Sequence, residues 1–348
     1  MLDQGNREII VGGGLKSEVR HFIFERIISV ENLLNAWREF KRGKAKKQDV
    51  QAFGFNLEDN IFNLYEELKN ATYRPGPYEA FYVRDPKLRC IHKAQVRDRV
   101  LHQAIFRVLY HFFDQHFIYD SYSCRFNKGT QKGVKRLDQF IRQVSRNHSR
   151  SVYVLKCDVR KFFDSIDQEI LFHLIRREIK DEWALGLIKQ VIGSFTKSPG
   201  RGLPLGNVTS QLFANIYLDR FDQFVKHQLK QKYYLRYCDD FLIVGRKAED
   251  LAGLISPLNH FLGTDLKLEL HPRKISIRSV TQGIDWLGYV CLPYFRVLRT
   301  KTKRRLLAKI EPKNLQSYLG ILSHCRGWKI AQKIKAICDI DRLGHHQL

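Results

Sequence analysis

Two adjacent carboxylates, Asp239 and Asp240, stand between apolar stretches in the segment from Tyr233 to Gly245. The flanks are aromatic and branched, which predicts two short β-strands with the acidic pair at the tight turn between them. Like charges held side by side repel, so the pair persists at low cost only if a strong cation sits between it and a third ligand. Hard oxygen donors suit Mg²⁺ or Mn²⁺. On its own the tetrapeptide reads equally well as a polar hairpin turn, where Asp is common. A second acidic strand decides the matter: the apolar run that starts at Ser151 ends on Asp158. A lone Asp after a strand is more often a cap or turn former. Paired with Asp239 it makes shared carboxylates for two ions, one activating an attacking oxygen and the other holding a triphosphate, the arrangement of nucleotidyl transfer.

Several elements must position these groups. The strand ending at Asp158 leads into an amphipathic helix from Gln168 to Ile179, and a helix from Asn207 to Gln228 precedes the acidic hairpin. Upstream, Ser29 caps a helix carrying Val30, Leu33, Leu34, Trp37 and Phe40, and a second helix runs from Asn56 to Ala71. Tyr78 to Val83 and Leu88 to Ile91 alternate like an antiparallel hairpin, followed by a helix from Asp98 to Phe117. Downstream come a helix from Ala248 to Phe261, a strand from Lys267 to Leu270, a hairpin from Gly283 to Tyr289, a basic helix from Thr300 and another from Tyr318 to Cys325.

A chain of 348 residues can hold two or three subdomains about one long cleft. Its 60 Lys and Arg against 36 Asp and Glu leave a net charge of +24, spread along the whole chain, which argues for a polyanionic partner. No apolar run approaches the length of a membrane span and the N-terminus has no signal-peptide pattern, so a cytoplasmic protein without a membrane anchor is expected. The 7 cysteines form no Cys-x-x-Cys pair, which excludes zinc spacing and a disulfide framework. The glycines after Val11 lack the spacing of a phosphate loop and read as a linker or leader.

Seven segments in order resemble a reverse transcriptase. Arg89 to Leu101 and Ser121 to Gly129 are similar to the two fingers motifs. The Asp158 strand with Phe163 is similar to the first palm motif, and Gly202 to Asn215 to the next. Tyr237 to Asp240 resembles the family's Tyr-x-Asp-Asp box, and Leu266 to Lys274 and Gly283 to Tyr289 resemble the two motifs after it. Many members carry Gln-Gly-x-x-x-Ser-Pro in the palm motif that Gly202 to Asn215 resembles, whereas this chain has Leu205 and Gln211 at its first and last positions. That departure resembles the enzymes of diversity-generating retroelements, which copy a template RNA unfaithfully, chiefly at adenines. Retron-type, group II intron-type and phage-defence reverse transcriptases share most of the same boxes.

The resemblance implies an α+β right-hand polymerase with fingers, an antiparallel palm sheet and a helical thumb: a leader over 1–28, fingers over 29–150, palm over 151–290 and thumb over 291–348. It implies two Mg²⁺ ions, with Mn²⁺ as a substitute, on Asp158, Asp239 and Asp240, and Lys274 as proton donor to the leaving pyrophosphate. Lys87 and Arg89 would lie over the incoming triphosphate. Phe163 would be the ring that excludes a 2′-hydroxyl, and Leu205, Gly206 and Gln211 would touch the nucleotide. Arg125, Lys128, Lys301, Lys303 and Arg304 would hold nucleic-acid phosphates. Each has a plainer reading, as hairpin charge for Lys87 and Arg89, a core ring for Phe163 and a surface phosphate contact for Lys274. The implied partners are template RNA, an RNA/DNA primer-template, dNTPs and a small basic helical-bundle accessory protein. No RNase H-like acidic set or nuclease His-Asn cluster is expected. The rivals are a non-catalytic RNA-binding scaffold and an RNA-templated RNA polymerase.

Overall fold

The computed structural model describes residues 22–84 and 88–344. Most of the leader expected over 1–28, including the glycines after Val11, lies outside the described residues, as does Lys87. The chain forms two compact units, one of residues Met1–Phe117 and Lys161–Arg220, the other of Ile118–Arg160 and Phe221–Leu348. Among the described residues no helix is long and apolar enough to cross a membrane.

The first unit is mainly helical. Ser29 caps the helix Val30–Phe40 by accepting from the Asn32 amide at 3.2 Å, and the apolar stripe Leu33, Trp37 and Phe40 is buried. Helices Gln48–Phe55 and Leu57–Lys69 follow. Strands β1 (Glu79–Arg84) and β2 (Leu88–Lys93) pair antiparallel in the register Glu79 with Lys93. The long helix Val96–Asp114 buries residues on nearly every side and forms the unit's axis. Helices Gln168–Glu178 and Glu182–Gly193 both begin on an aspartate, Asp167 and Asp181, whose side chains accept first-turn amides.

In the second unit, β3 (Tyr153–Asp158), β4 (Tyr234–Tyr237), β5 (Asp240–Gly245) and β6 (Ser276–Ser279) form an antiparallel sheet in the order β4-β5-β3-β6. The inner strands β3 and β5 are apolar at consecutive positions because the sheet is covered on both faces. On one face Val154, Leu235, Leu242 and Val244 pack with Val134, Leu137, Phe140 and Ile141 of the helix Thr130–Ser145. On the other, Phe241 meets Phe221 and Tyr234 edge-on or tilted at ring separations of 5.1 and 5.9 Å. The small sheet β7 (Ile284–Trp286), β8 (Tyr289–Cys291) and β9 (Arg296–Leu298) and the helices Thr300–Ala308, Leu315–Leu322 and Trp328–Gly344 extend the first of these cores.

Two local expectations change. Residues Lys267 to Leu270 form no strand: Lys267 takes a left-handed conformation that ends the helix Ile255–Leu266, and Leu270 makes only an isolated bridge to Val159. The helix expected from Ala248 to Phe261 is two, Ala248–Gly253 and Ile255–Leu266, meeting at Leu254.

Candidate active site

In the second unit the register of β3 and β5 places Asp158 directly opposite Asp240. Directly opposed residues share a face, with Cβ atoms roughly 4.5–5.5 Å apart. Asp239 occupies the turn with Cys238, and its carbonyl accepts from the Val159 amide at 3.2 Å, tying the turn to the end of β3. The sheet therefore brings the three sequence-predicted carboxylates to one place.

Burial and neighbouring negative charge both disfavour ionisation here. Burial, then the charge of Asp158, raises Asp239 above the ordinary carboxylate value. Asp240 is pushed up to about 7, chiefly by burial and further by Asp239 and Asp158, against the pull of the Lys156 ammonium. Lys274 stands on Asp158, its ammonium donating to Oδ1. The short 3-10 turn Pro272–Lys274 delivers it there, anchored where the His271 amide donates to the Asp158 carbonyl at 2.8 Å.

Three carboxylates short of positive charge, one already held by an ammonium, form a donor set of hard oxygens suited to a divalent cation. Burial raises the Cys238 thiol, so no thiolate competes as a soft ligand. Among the described residues, no three His, Cys, Asp or Glu side chains already stand in a metal-holding group. The fit is one of donor chemistry.

The turn has support that sequence reasoning missed. Cys238 sits at φ +56, the left-handed region that a two-residue hairpin loop demands and that costs a non-glycine residue about 1–2 kcal/mol. Arg236, only 1% exposed, donates through Nη1 to the Cys238 carbonyl at 3.0 Å. Its other nitrogens hold both oxygens of the wholly buried Asp222 at 2.7–3.0 Å, and the Tyr234 hydroxyl donates to the same carboxylate at 2.5 Å. An ion pair buried beneath the acidic turn thus fixes the carbonyl at its apex. The available signal was an Arg inside the apolar strand β4 and an Asp among the apolar residues Phe221, Phe224 and Val225.

The nucleotide candidates fall in the first unit. Gly206 has φ +114, which glycine adopts without penalty, and a Cβ there would meet Ile91 Cγ2 at 3.2 Å. The Leu205 carbonyl accepts from the His92 amide at 3.3 Å. These contacts bring Leu205 and Gly206 to β2, beside a cleft of about 200 Å³ lined by Phe40, Ile91, Lys93, Arg99 and Asn207. Gln211 is exposed on the first turn of the helix Val208–Gln223, and Arg89 is exposed on β2. Phe163 is half-buried, its ring edge-on to Phe162 at 5.3 Å and its carbonyl held by the Leu203 amide at 2.8 Å.

The phosphate candidates divide in two. Arg125 donates to the Ile118 and Ser121 carbonyls at 2.7 and 3.2 Å, and Lys128 to the Tyr119 carbonyl at 2.8 Å with its ammonium over the Tyr119 ring. Both side chains therefore build the loop they sit on. Lys301, Lys303 and Arg304 project into solvent from the helix Thr300–Ala308.

A family profile described as reverse transcriptase (RNA-dependent DNA polymerase) matches residues 84–291, a span that includes Asp158, Asp239, Asp240 and Lys274. The chain is similar to Protein YkfC of Escherichia coli, 23% identical over 312 residues covering 77% of this chain and 79% of that one. It is 24% identical over 350 residues to the group II intron-encoded protein LtrA of Lactococcus lactis, covering 79% of this chain but only 55% of LtrA. The Retron Ec83 reverse transcriptase of Escherichia coli is 28% identical over 195 residues, half of this chain and 62% of that one. Among solved structures, a telomerase from Candida tropicalis superposes with a TM-score of 0.49 at 13% identity, over 69% of this chain and 60% of the other. The match over 84–291 spans more than half of the chain and covers the strand and hairpin that carry the acidic cluster. The chain belongs to the reverse transcriptase family, with the right-hand polymerase fold, and is an RNA-directed DNA polymerase.

Proposed function

We propose that this polymerase copies a template RNA into cDNA unfaithfully, chiefly at adenines, as the enzyme of a diversity-generating retroelement. The observation that carries this reading is Leu205 in the palm motif of Gly202 to Asn215, where many members have glutamine, with Gln211 six residues on. The Leu205 carbonyl is engaged by His92, and its side chain has no polar group. A glutamine there could hydrogen-bond the nucleotide, and a site lacking such a bond rejects a wrong partner poorly.

Asp158, Asp239 and Asp240 would hold two Mg²⁺ ions, which Mn²⁺ can replace. When bound, such ions supply charge neutralisation and activation of the primer 3′-hydroxyl for in-line attack on the α-phosphate. Lys274, whose ammonium donates to Asp158, would give a proton to the leaving pyrophosphate. Arg236 and Asp222 hold the turn in register. Arg89, with Lys87, belongs over the triphosphate, Gly206 and Gln211 beside the nucleotide, and Lys301, Lys303 and Arg304 along the template-primer. In this reading residues 29–150 are fingers, 151–290 palm and 291–348 thumb. A small basic helical-bundle accessory protein and a structured template RNA are the partners, in the cytoplasm.

The similarity to LtrA and to the Ec83 enzyme supports a second reading, a group II intron-type or retron-type enzyme that copies its RNA faithfully. Sequencing cDNA made by the wild type and by Leu205→Gln separates the two. The expected wild-type errors concentrate at template adenines and fall in the variant. An unchanged error spectrum removes Leu205 from the account.

Phe163 separates DNA synthesis from RNA synthesis. Phe163→Val opens space beneath the sugar of the incoming nucleotide, and rNTP incorporation should rise by about 10–200-fold relative to dNTP, the range for changes of pocket volume. Parallel single-nucleotide extensions with dNTP and rNTP measure it. A variant as strict as the wild type makes Phe163 a core ring only.

A further inference from the structure

The second unit carries a group of arginines that the polymerase site does not use. β3 runs from Tyr153 to Asp158, so its first residue lies roughly 16 Å from the carboxylates along the strand. At that far end Tyr153 pairs with Gly245 on one side and Ser279 on the other, so Arg150 and Arg246 both emerge there. The helix Thr130–Ser145 ends beside them, and Arg142 and Arg146 lie one turn apart on its solvent face. Arg142, Arg146, Arg150 and Arg246 are all exposed; among the described residues none makes a direct ion pair, and Arg142 acts only through its charge on Asp138, one turn earlier on the helix. Arg97, Arg99, Arg107, Arg136 and Arg299, by contrast, are each paired with a carboxylate. Crowding by Arg146, with Arg246 adding to it, depresses the Arg150 guanidinium below its ordinary value.

The loop that gathers these charges has a fixed shape. Arg146, Asn147 and His148 are left-handed in succession, at φ 49, 55 and 67. The run is held where the Asn147 amide donates to the Arg142 carbonyl at 2.9 Å, His148 to Ser145 Oγ at 2.7 Å and Arg150 to the Ser145 carbonyl at 3.0 Å. Beside the loop, Tyr294 is 73% exposed, its ring 4.7 Å from the His148 ring. Clefts of about 380 and 290 Å³ open on either side of Tyr294, one bounded by Arg142 and Arg326, the other by His148 and Arg150.

Arg142 and Arg150 thus line the clefts at an exposed ring, with Arg146 and Arg246 crowding Arg150, and exposed guanidiniums beside an aromatic face are the elements of single-stranded nucleic-acid recognition: cations track the phosphates and the face stacks a base. We propose that this end of the second unit is a further RNA site, taking an unpaired RNA segment with phosphates on Arg142, Arg146, Arg150 and Arg246 and a base on Tyr294. It is separate from the template-primer path at the carboxylates, so a folded RNA could be held here while another part of it is copied.

The test uses the full chain with its polymerase site first filled by an unlabelled, dideoxy-terminated RNA/DNA primer-template. Binding of a fluorescein-labelled 12-nucleotide oligouridylate is then followed by anisotropy across a salt series. Wild type should bind the second RNA. Arg146→Gln with Arg150→Gln and Tyr294→Ala should weaken it at least tenfold and make the log-log salt slope shallower by about 1.4, two phosphate contacts' worth on a single strand. Arg146→Lys with Arg150→Lys should keep the slope, and primer extension on a short template should be unchanged in every variant, which separates this site from the polymerase itself. Failure of the filled wild type to bind oligouridylate, or equal affinity and slope in the Gln and Ala variant, overturns the proposal.

Discussion

Asp239→Asn protein should bind primed RNA template as the wild type does and incorporate dNTP slower by a factor on the order of 10³ or more. The substitution keeps size and removes one negative charge from a group of three carboxylates in which Asp158 is buried and Asp239 and Asp240 are half-buried. Charge preorganised in a water-poor site carries much of a catalytic rate, and loss of a single preorganised donor already costs about 10²–10³. Asp158→Asn should behave alike, with one difference: it also removes the partner of the Lys274 ammonium. Single-turnover extension under saturating template separates chemistry from binding. Near-normal synthesis by either variant would remove that carboxylate from the catalytic set.

The second large effect concerns the ion pair under the turn. Asp222→Ala strands the guanidinium of Arg236 in a fully buried position and deprives the Tyr234 hydroxyl of its acceptor. Breaking a buried pair on one side costs about 3–5 kcal/mol, against a total stability of roughly 5–15 kcal/mol for a domain. The variant should therefore unfold at a markedly lower temperature. Replacing the whole group, Asp222→Leu with Arg236→Met and Tyr234→Phe, leaves no stranded charge and should recover most of the stability. It cannot recover the hydrogen bond to the Cys238 carbonyl. The triple variant is thus expected to be folded but slow, with the loss in kcat and little change in template affinity. Full activity in a folded triple variant would show that Arg236 supports the fold alone.

The acidic cluster was legible because β-strand alternation and a two-residue turn are local properties. Apolar runs ending on Asp158 and flanking Asp239 and Asp240 predict strand, turn and strand, and the observed register of β3 with β5 then places the carboxylates face to face. The Ser29 cap and the amphipathic helix after it were legible for the same reason. What could not be read is what depends on partners distant in sequence. Nothing in the helix around Asp222 says that its carboxylate meets Arg236, because the pairing requires the helix to lie beneath β4. The loop of Arg125 and Lys128 shows the opposite lesson. Basic residues beside a glycine suggest phosphate contact, yet both side chains are spent on nearby backbone carbonyls and a tyrosine ring.

Leu205 is the residue on which the functional account turns, and single-nucleotide incorporation opposite a template adenine tests it most directly. With primed RNA, Mg²⁺ and one dNTP at a time, kcat/KM is compared for dTTP and for each wrong nucleotide, at adenine and at the other three bases. Discrimination at adenine should be weaker than elsewhere by on the order of tenfold or more, the scale on which a site that lacks a hydrogen bond fails to reject a near-isostere. Equal discrimination at all four template bases would contradict it and leave a faithful reverse transcriptase.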